Sequence, residues 1–250
     1  MILFQFIKDT LPKTIIDLEN PKVFKIILIS SIITLISGIL IFFLFYYFLF
    51  TSLFSLTDPN QFREGGIIQY ILSLKIFAIL LGIVQFFASW IIFALILVPL
   101  GSIISGIYSE KIFFSINDIH KYKWNKKLKQ NSFLLSIQYG CVSASKGFLI
   151  NVLILPLYIF LPVANIFIFI AINAFIVGRE YCGNFLVQFL NKEKMKRFFI
   201  FSDSELYIVG LIISLLYTIP IANLFAPSIG NILISHLILK SKKNIISLKG

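Results

Sequence analysis

The sequence predicts an all-α polytopic membrane domain over residues 1–250, with two full transmembrane helices and two re-entrant, half-membrane helical hairpins. Three observations predict it. The chain is 58% hydrophobic and 13% charged, with a mean hydropathy of +0.95, which is more apolar surface than a soluble domain of this length buries. Two long uncharged stretches, residues 147–178 and 206–239, each carry the motif Pro-x-Ala-Asn-x-Phe near the middle. The lysines gather in particular polar segments instead of spreading along the chain. No segment has the period-two alternation of a membrane β-barrel.

The elements follow in order. Residues 1–21 read as a short amphipathic or interfacial helix, anchored by Ile2, Phe6, Leu11, Ile15 and Ile16 and ended by Asn20-Pro21. The first full span covers residues 26–50, and a polar loop follows at 57–66 with Asp58, Arg63 and Glu64. The second full span covers residues 70–97, with Lys75 near its outer end, where it can snorkel. Pro99 and Gly101 mark a kink or exit. Beyond them Leu100, Ile103, Ile104, Ile107 and Tyr108 keep helical spacing up to Glu110 and Lys111, predicting a helix that projects into the cytoplasm. After a basic loop, Leu134, Ile137, Cys141, Ala144 and Phe148 recur at steps of three and four. They predict an amphipathic helix that lies along the membrane or packs on its neighbour.

Each of the two uncharged stretches is too long for one comfortable span and too short for two. The first motif is Pro162-Val163-Ala164-Asn165-Ile166-Phe167 and the second Pro220-Ile221-Ala222-Asn223-Leu224-Phe225. Proline breaks the helix ladder and the residue before it resists the α conformation. Each half is then a helix of roughly 13–17 residues, about 20–25 Å long, against a hydrocarbon core of about 30 Å. Two half-depth helices joined at an uncharged tip fit best. A polar linker over residues 188–204 separates the hairpins, and Ser202-Asp203-Ser204-Glu205 resembles an N-capping sequence. The prolines leave backbone carbonyls without partners. Asn165 and Asn223, three residues later, can supply hydrogen bonds or cap the second half-helix. The same half-helix N-termini can also face a permeating anion.

The net charge of +11 would suggest nucleic acid in a soluble protein, but here it reports topology. The lysine surplus lies in residues 121–129, 192–197 and 240–249, and the loop 57–66 lacks it. Both termini are therefore expected in the cytoplasm, with residues 57–66 on the opposite side. Lys8, Asp9, Lys13, Asp17 and Glu19 precede the first apolar run, so a cleavable signal is not expected.

The sequence does not suggest an enzyme: it has no nucleophile–base constellation, no phosphate-binding loop and no catalytic pair of acids. Cys141 and Cys182 are too few for a metal site or a disulfide framework. His120 and His236 lack a second ligand at helical spacing and read as packing or interfacial residues, so neither metal nor cofactor is expected. Arg179-Glu180, directly after the first hairpin, reads either as an interfacial ion pair or as a gate or anion contact near the inner mouth.

The paired Pro-x-x-Asn hairpins, the two long preceding helices and Gly178-Arg179-Glu180-Tyr181 resemble the CysZ family of bacterial sulfate permeases, within the etoposide-induced-protein domain superfamily. Residues 217–227 carry the closest likeness, which extends over most of residues 10–240. The resemblance implies an inner-membrane permease or channel for sulfate or a related oxyanion that feeds cysteine synthesis. It implies the lipid bilayer, that oxyanion and further copies of the chain as partners, with no nucleic acid. Family members place a Pro-Gly-x-Arg-Arg anion site before the first span, and the matching stretch here is Pro21-Lys22-Val23-Phe24-Lys25. Two cations, Lys22 and Lys25, remain to form such a site as point charges, without the bidentate guanidinium fork. The rival reading is a non-transporting scaffold or assembly factor that uses the hairpins as wedges. A permease needs a wet path lined by groups such as Asn165, Asn173, Asn223, Ser228 and Asn231, and a scaffold does not.

Overall fold

A computed structural model describes residues 2–56, 66, 75–124, 132–160 and 165–241. These residues form eight α-helices and no strand: α1 (Ile2–Glu19), α2 (Pro21–Leu56), α3 (Lys75–Ile119), α4 (Ser132–Phe160), α5 (Asn165–Leu186), α6 (Lys192–Phe201), α7 (Asp203–Tyr217) and α8 (Pro220–Lys240). The expectations for Pro162, for Asp58, Arg63 and Glu64, for residues 70–74, for the lysines at 126–129 and for the tail beyond 241 lie outside the described residues.

Local chemistry sets most boundaries. Between α1 and α2 the Asn20 carboxamide accepts from the Lys22 N–H at 3.0 Å and its carbonyl accepts from Phe24 at 2.9 Å. Pro21 opens α2, where its missing N–H costs nothing. Asn191 caps α6 by accepting from the Lys194 N–H at 3.3 Å. At the second motif, α7 ends at Tyr217 and Pro220 begins α8. The carbonyls freed there are taken by Thr218, whose N–H and hydroxyl both donate to Leu215 O, at 3.1 and 2.7 Å.

The helices divide into two compact units, Met1–Thr34 with Pro99–Gly250, and Leu35–Val98. The first unit holds the main core. There α8 is buried along nearly its whole length from Ala226 to Leu239. Around it lie Val23 and Ile27 of α2, Ile104, Ile112 and Ile116 of α3, Tyr181 and Phe185 of α5, and Leu206, Val209 and Ile213 of α7. In the second unit the α2 side chains Leu40, Phe43, Leu44, Tyr47 and Phe48 are all exposed, an apolar surface suited to lipid. Among the described residues, four helices are long and apolar enough to cross a membrane: Pro21–Phe48, Leu134–Ile154, Ile166–Leu186 and Ile221–Lys240.

Three expectations are corrected. First, the helix expected over residues 70–97 does not end before Pro99: α3 is helical from Lys75 to Ile119, and Ile104, Ile112 and Ile116 of its later part are buried. Gly101 is where α3 passes close to two neighbours: a Cβ there would lie 3.1 Å from Pro227 and 3.5 Å from Thr34. Second, the hairpin arms are longer than roughly 13–17 residues except for α7: α4, α5, α7 and α8 have 29, 22, 15 and 21. The helices run through the charges taken as their ends, because Lys146 sits on an exposed face of α4 and Arg179 is paired with Asp203. Third, the linker 188–204 contains a helix, α6, bent by 83° from α7. The apolar stripe of α4 faces outward, as for a helix that presents that face to the membrane, and does not pack on a neighbouring helix. Leu134, Cys141 and Phe148 are exposed, while Ser136, Gly140 and Gly147 are buried. Lipid makes apolar side chains comfortable outside, and small residues let helix backbones approach inside.

Candidate functional site

The polar side chains of the first unit meet in its core. On α8, Ser228, Asn231 and Ser235 are spaced by three and four and share one face. Ser228 lies 2.7 Å from Ser30 of α2, hydroxyl to hydroxyl. The neighbouring Ser31 hydroxyl donates to the Leu224 carbonyl at 2.9 Å. Asn231 donates from Nδ2 to the carbonyl and hydroxyl of Ser105 on α3, at 2.8 and 2.5 Å. One turn on, Ser109 accepts at 3.4 Å from Nε2 of Gln188, in the turn that follows α5, and Gln188 also donates to the Asn184 carbonyl at 3.2 Å. That carbonyl accepts from the Ser136 hydroxyl of α4 at 3.0 Å. A line of neutral hydroxyls and carboxamides thus joins α2, α8, α3, α5 and α4.

Asn184 is the exception within this line. It is 1% exposed, yet neither its Oδ1 nor its Nδ2 has a hydrogen-bond partner among the described residues. Gly106 and Gly140 flank the carboxamide, and a Cβ added to either would lie 3.7 or 3.3 Å from it. Such a group, buried without partners, marks a place where water or a polar solute belongs.

The sequence-predicted residues lie in several places. Of the five named as lining a wet path, Asn173, Ser228 and Asn231 are buried; Asn173 exchanges carboxamide bonds with Asn151 of α4, both at 3.3 Å. Asn165 is the first residue of α5. Asn223 lies in the first turn of α8, half-buried, its N–H on the Ile219 carbonyl at 2.8 Å. The cap position of α8 is Ile219, which makes no side-chain cap bond, so Asn223 is not the cap. Pro220 occupies the start of α8 as the motif predicts. Ser202 is the N-cap of α7, again without a side-chain bond, with Asp203 and Glu205 in the first turn.

Arg179 pairs with Asp203 of α7, and its guanidinium lies 4.0 Å from the Phe175 ring centre. Its carboxylate partner is therefore on the neighbouring helix, while Glu180 is buried. Lys22 and Lys25 are both exposed at the start of α2, on either side of the buried Val23.

The sequence reading misses Asn184, Gln188, Ser105 and Ser109. The available signal was the matched i, i+4 polar pairs 105/109, within an apolar helix, and 184/188, at the end of one. Nor does the sequence reading bring the histidines together: His120, His236 and Asp17 offer one ligand atom each within 4.8 Å of one another.

Residues 11–227 match the family model described as Sulfate transporter CysZ/Etoposide-induced protein 2.4. No curated protein and no solved structure matches the chain.

Proposed function

The chain belongs to the Sulfate transporter CysZ/Etoposide-induced protein 2.4 family, and from that premise we propose that it is a permease or channel carrying sulfate or a related oxyanion across the bacterial inner membrane, in support of sulfur assimilation. The observation that carries this reading is Asn184, a buried carboxamide without a partner among the described residues, at one end of a line of hydroxyls and amides. Polar groups among transmembrane helices are expensive and serve a purpose when they line a water-filled path. The line offers uncharged donors, which suits an anion in transit: conduction needs contacts weak enough to release. A scaffold built on wedge-like hairpins has no need of such a group.

In this reading α2 and α3 cross the membrane fully, and the α4–α5 and α7–α8 pairs dip in from the cytoplasmic side, where both termini lie. The 15 residues of α7, about 22 Å of helix, support the second dip, since they fall short of a hydrocarbon core of about 30 Å. Lys22 and Lys25 draw the anion to the mouth as exposed point charges. The half-helix starts at Asn165 and at Pro220–Asn223 border the path. Arg179, now held by Asp203, is released when the gate next to Glu180 opens. The chain works as a homo-oligomer, which cross-linking in the bilayer tests.

The transport reading is tested by sulfate flux into proteoliposomes with phosphate and chloride as competitors. Sulfate-dependent uptake above empty vesicles is expected. Folded, correctly inserted protein that moves no oxyanion would assign the chain to the scaffold reading.

A further inference from the structure

Asp17 is an acid that the transport reading does not use, and it is 0% exposed. A carboxylate is almost never buried so fully unless it is paired or holds a metal. Both of its oxygens are occupied. Oδ1 lies 2.8 Å from His120 Nε2 and Oδ2 lies 2.6 Å from His236 Nε2. The two imidazole rings are 5.0 Å apart, centre to centre. The three residues are far apart in sequence, on α1, just past the end of α3, and on α8. The pairing of α1 with α8 places the first against the third: Lys240 donates to the Thr10 hydroxyl at 3.2 Å and lies 3.6 Å from the Asp9 carboxylate.

We infer that Asp17, His120 and His236 form a binding site for one divalent transition metal ion of the zinc type. Two imidazole nitrogens and one carboxylate oxygen are donors of the softness zinc takes, and a three-residue set of this kind leaves a coordination position open. Zinc holds such donors at about 2.0–2.2 Å, which sets neighbouring donors about 3.3 Å apart. The two imidazole–carboxylate contacts, 2.6 and 2.8 Å on different oxygens, open to that spacing, and the three ligand atoms, all within 4.8 Å of one another, draw in around the ion.

The surroundings orient the ligands as well. His236 Nδ1 lies 3.1 Å from the Tyr122 hydroxyl. Without metal, Nε2–H donates to Asp17 and Nδ1 accepts from the Tyr122 hydroxyl; a metal at Nε2 displaces that proton and selects the tautomer in which Nδ1–H donates to the same oxygen, the arrangement that outer-shell partners impose on ligating histidines. Tyr122 is itself fixed. It sits between Lys121 and Lys123, both in the left-handed region at φ 52° and 55°, and accepts from Lys13 Nζ at 3.2 Å. The site is independent of the oxyanion path.

The test uses full-length purified protein carrying Cys141→Ser, which removes an exposed thiol that would compete for metal. The protein is stripped with a chelator and titrated with zinc chloride, with magnesium and calcium chlorides as hard-cation controls. One zinc per chain is expected, with a rise in melting temperature, and neither control ion should reproduce it. His120→Gln keeps an N–H donor for Asp17 but is a poor zinc ligand. It should fold and should lose about 100-fold or more in zinc affinity. Zinc-edge X-ray absorption should report two imidazoles in the wild-type site. A folded protein that takes up no stoichiometric zinc would overturn the site and leave the three side chains as a hydrogen-bonded latch. Unchanged zinc affinity in His120→Gln would overturn it equally.

Discussion

Gly178 of α5 and Gly210 of α7 face each other across a crossing of backbone on backbone. A Cβ on Gly178 would overlap the Leu206 carbonyl oxygen, and a Cβ on Gly210 would overlap that of Ala174. In lipid, apolar side chains gain little by turning inward, so helices associate through close van der Waals contact at small residues. Gly178 lies in the Gly-Arg-Glu-Tyr stretch by which the sequence resembles its family, and this crossing gives that glycine a packing role.

Gly210→Ala is therefore expected to reduce folded yield sharply. Overpacking costs about 1–3 kcal/mol where side chains can yield, and here the obstacle is a backbone carbonyl. Gly82→Ala is the control, since nothing lies within 4 Å of a Cβ there. Size-exclusion profiles and melting curves in detergent decide it. Equal stability of the two variants would mean that the crossing is looser than described.

The polar contacts should rank in order. Asn231→Leu removes two bonds to Ser105 in the buried core and is expected to cost about 1–3 kcal/mol. Thr218→Val removes one exposed bond at the helix break and should cost about 0.5–1.5 kcal/mol. Asn223→Leu should cost least, because α8 is not capped by that side chain. Melting temperatures of the three variants test the order, and Asn223→Leu as the most damaging would reverse the account of the break.

Asn184→Leu separates transport from folding. A carboxamide without partners contributes little to stability, so its near-isosteric apolar replacement should leave the fold intact or firmer. Sulfate flux in proteoliposomes should fall at least several-fold. Full flux in this variant would place the path elsewhere.

Topology is tested with single cysteines at Asn60, Val163, Ala222 and Ser241, in a chain whose Cys141 and Cys182 are replaced. An impermeant thiol reagent applied to intact cells should label Asn60→Cys and leave the other three unlabelled. Labelling of Val163→Cys and Ala222→Cys as readily as Asn60→Cys would replace the two dips by full crossings.

Lys22→Gln/Lys25→Gln should keep its fold, since both side chains are exposed, and its orientation, since the other lysines preserve the charge bias. Sulfate affinity measured by calorimetry should drop. A folded double variant with unchanged affinity would remove this pair from the anion's route.

What the sequence disclosed depended on distance along the chain. The break before Pro220 was legible because proline acts on its immediate neighbours, and the Asn20-Pro21 boundary for the same reason. The inner face of α4 was not. The usual rule places apolar residues inward, and a bilayer reverses it, so Ser136 and Gly140 are buried while Leu134 is exposed. The line through Ser105, Asn231 and Asn184 needed knowledge of which helices touch. So did the histidines. His120 and His236 have no local signature, and only the pairing of α1 with α8 carries Asp17 to them. Arg179 showed the same limit: the adjacent Glu180 suggested its partner, but the helix packing supplied Asp203.

The position of α8 in the chain has a consequence for biogenesis. Its His236 meets Asp17 of α1, its Ser228 meets Ser30 of α2, and its Asn231 meets Ser105 of α3. All three partners leave the ribosome before α8 is made, and a growing chain orders its N-terminal parts first. Until then those polar groups lack their partners on α8. The early helices are thus an open arch, and the last helix is its keystone. A chain stopped before Pro220 should insert and then be degraded, with a pulse–chase lifetime well below that of the full-length protein.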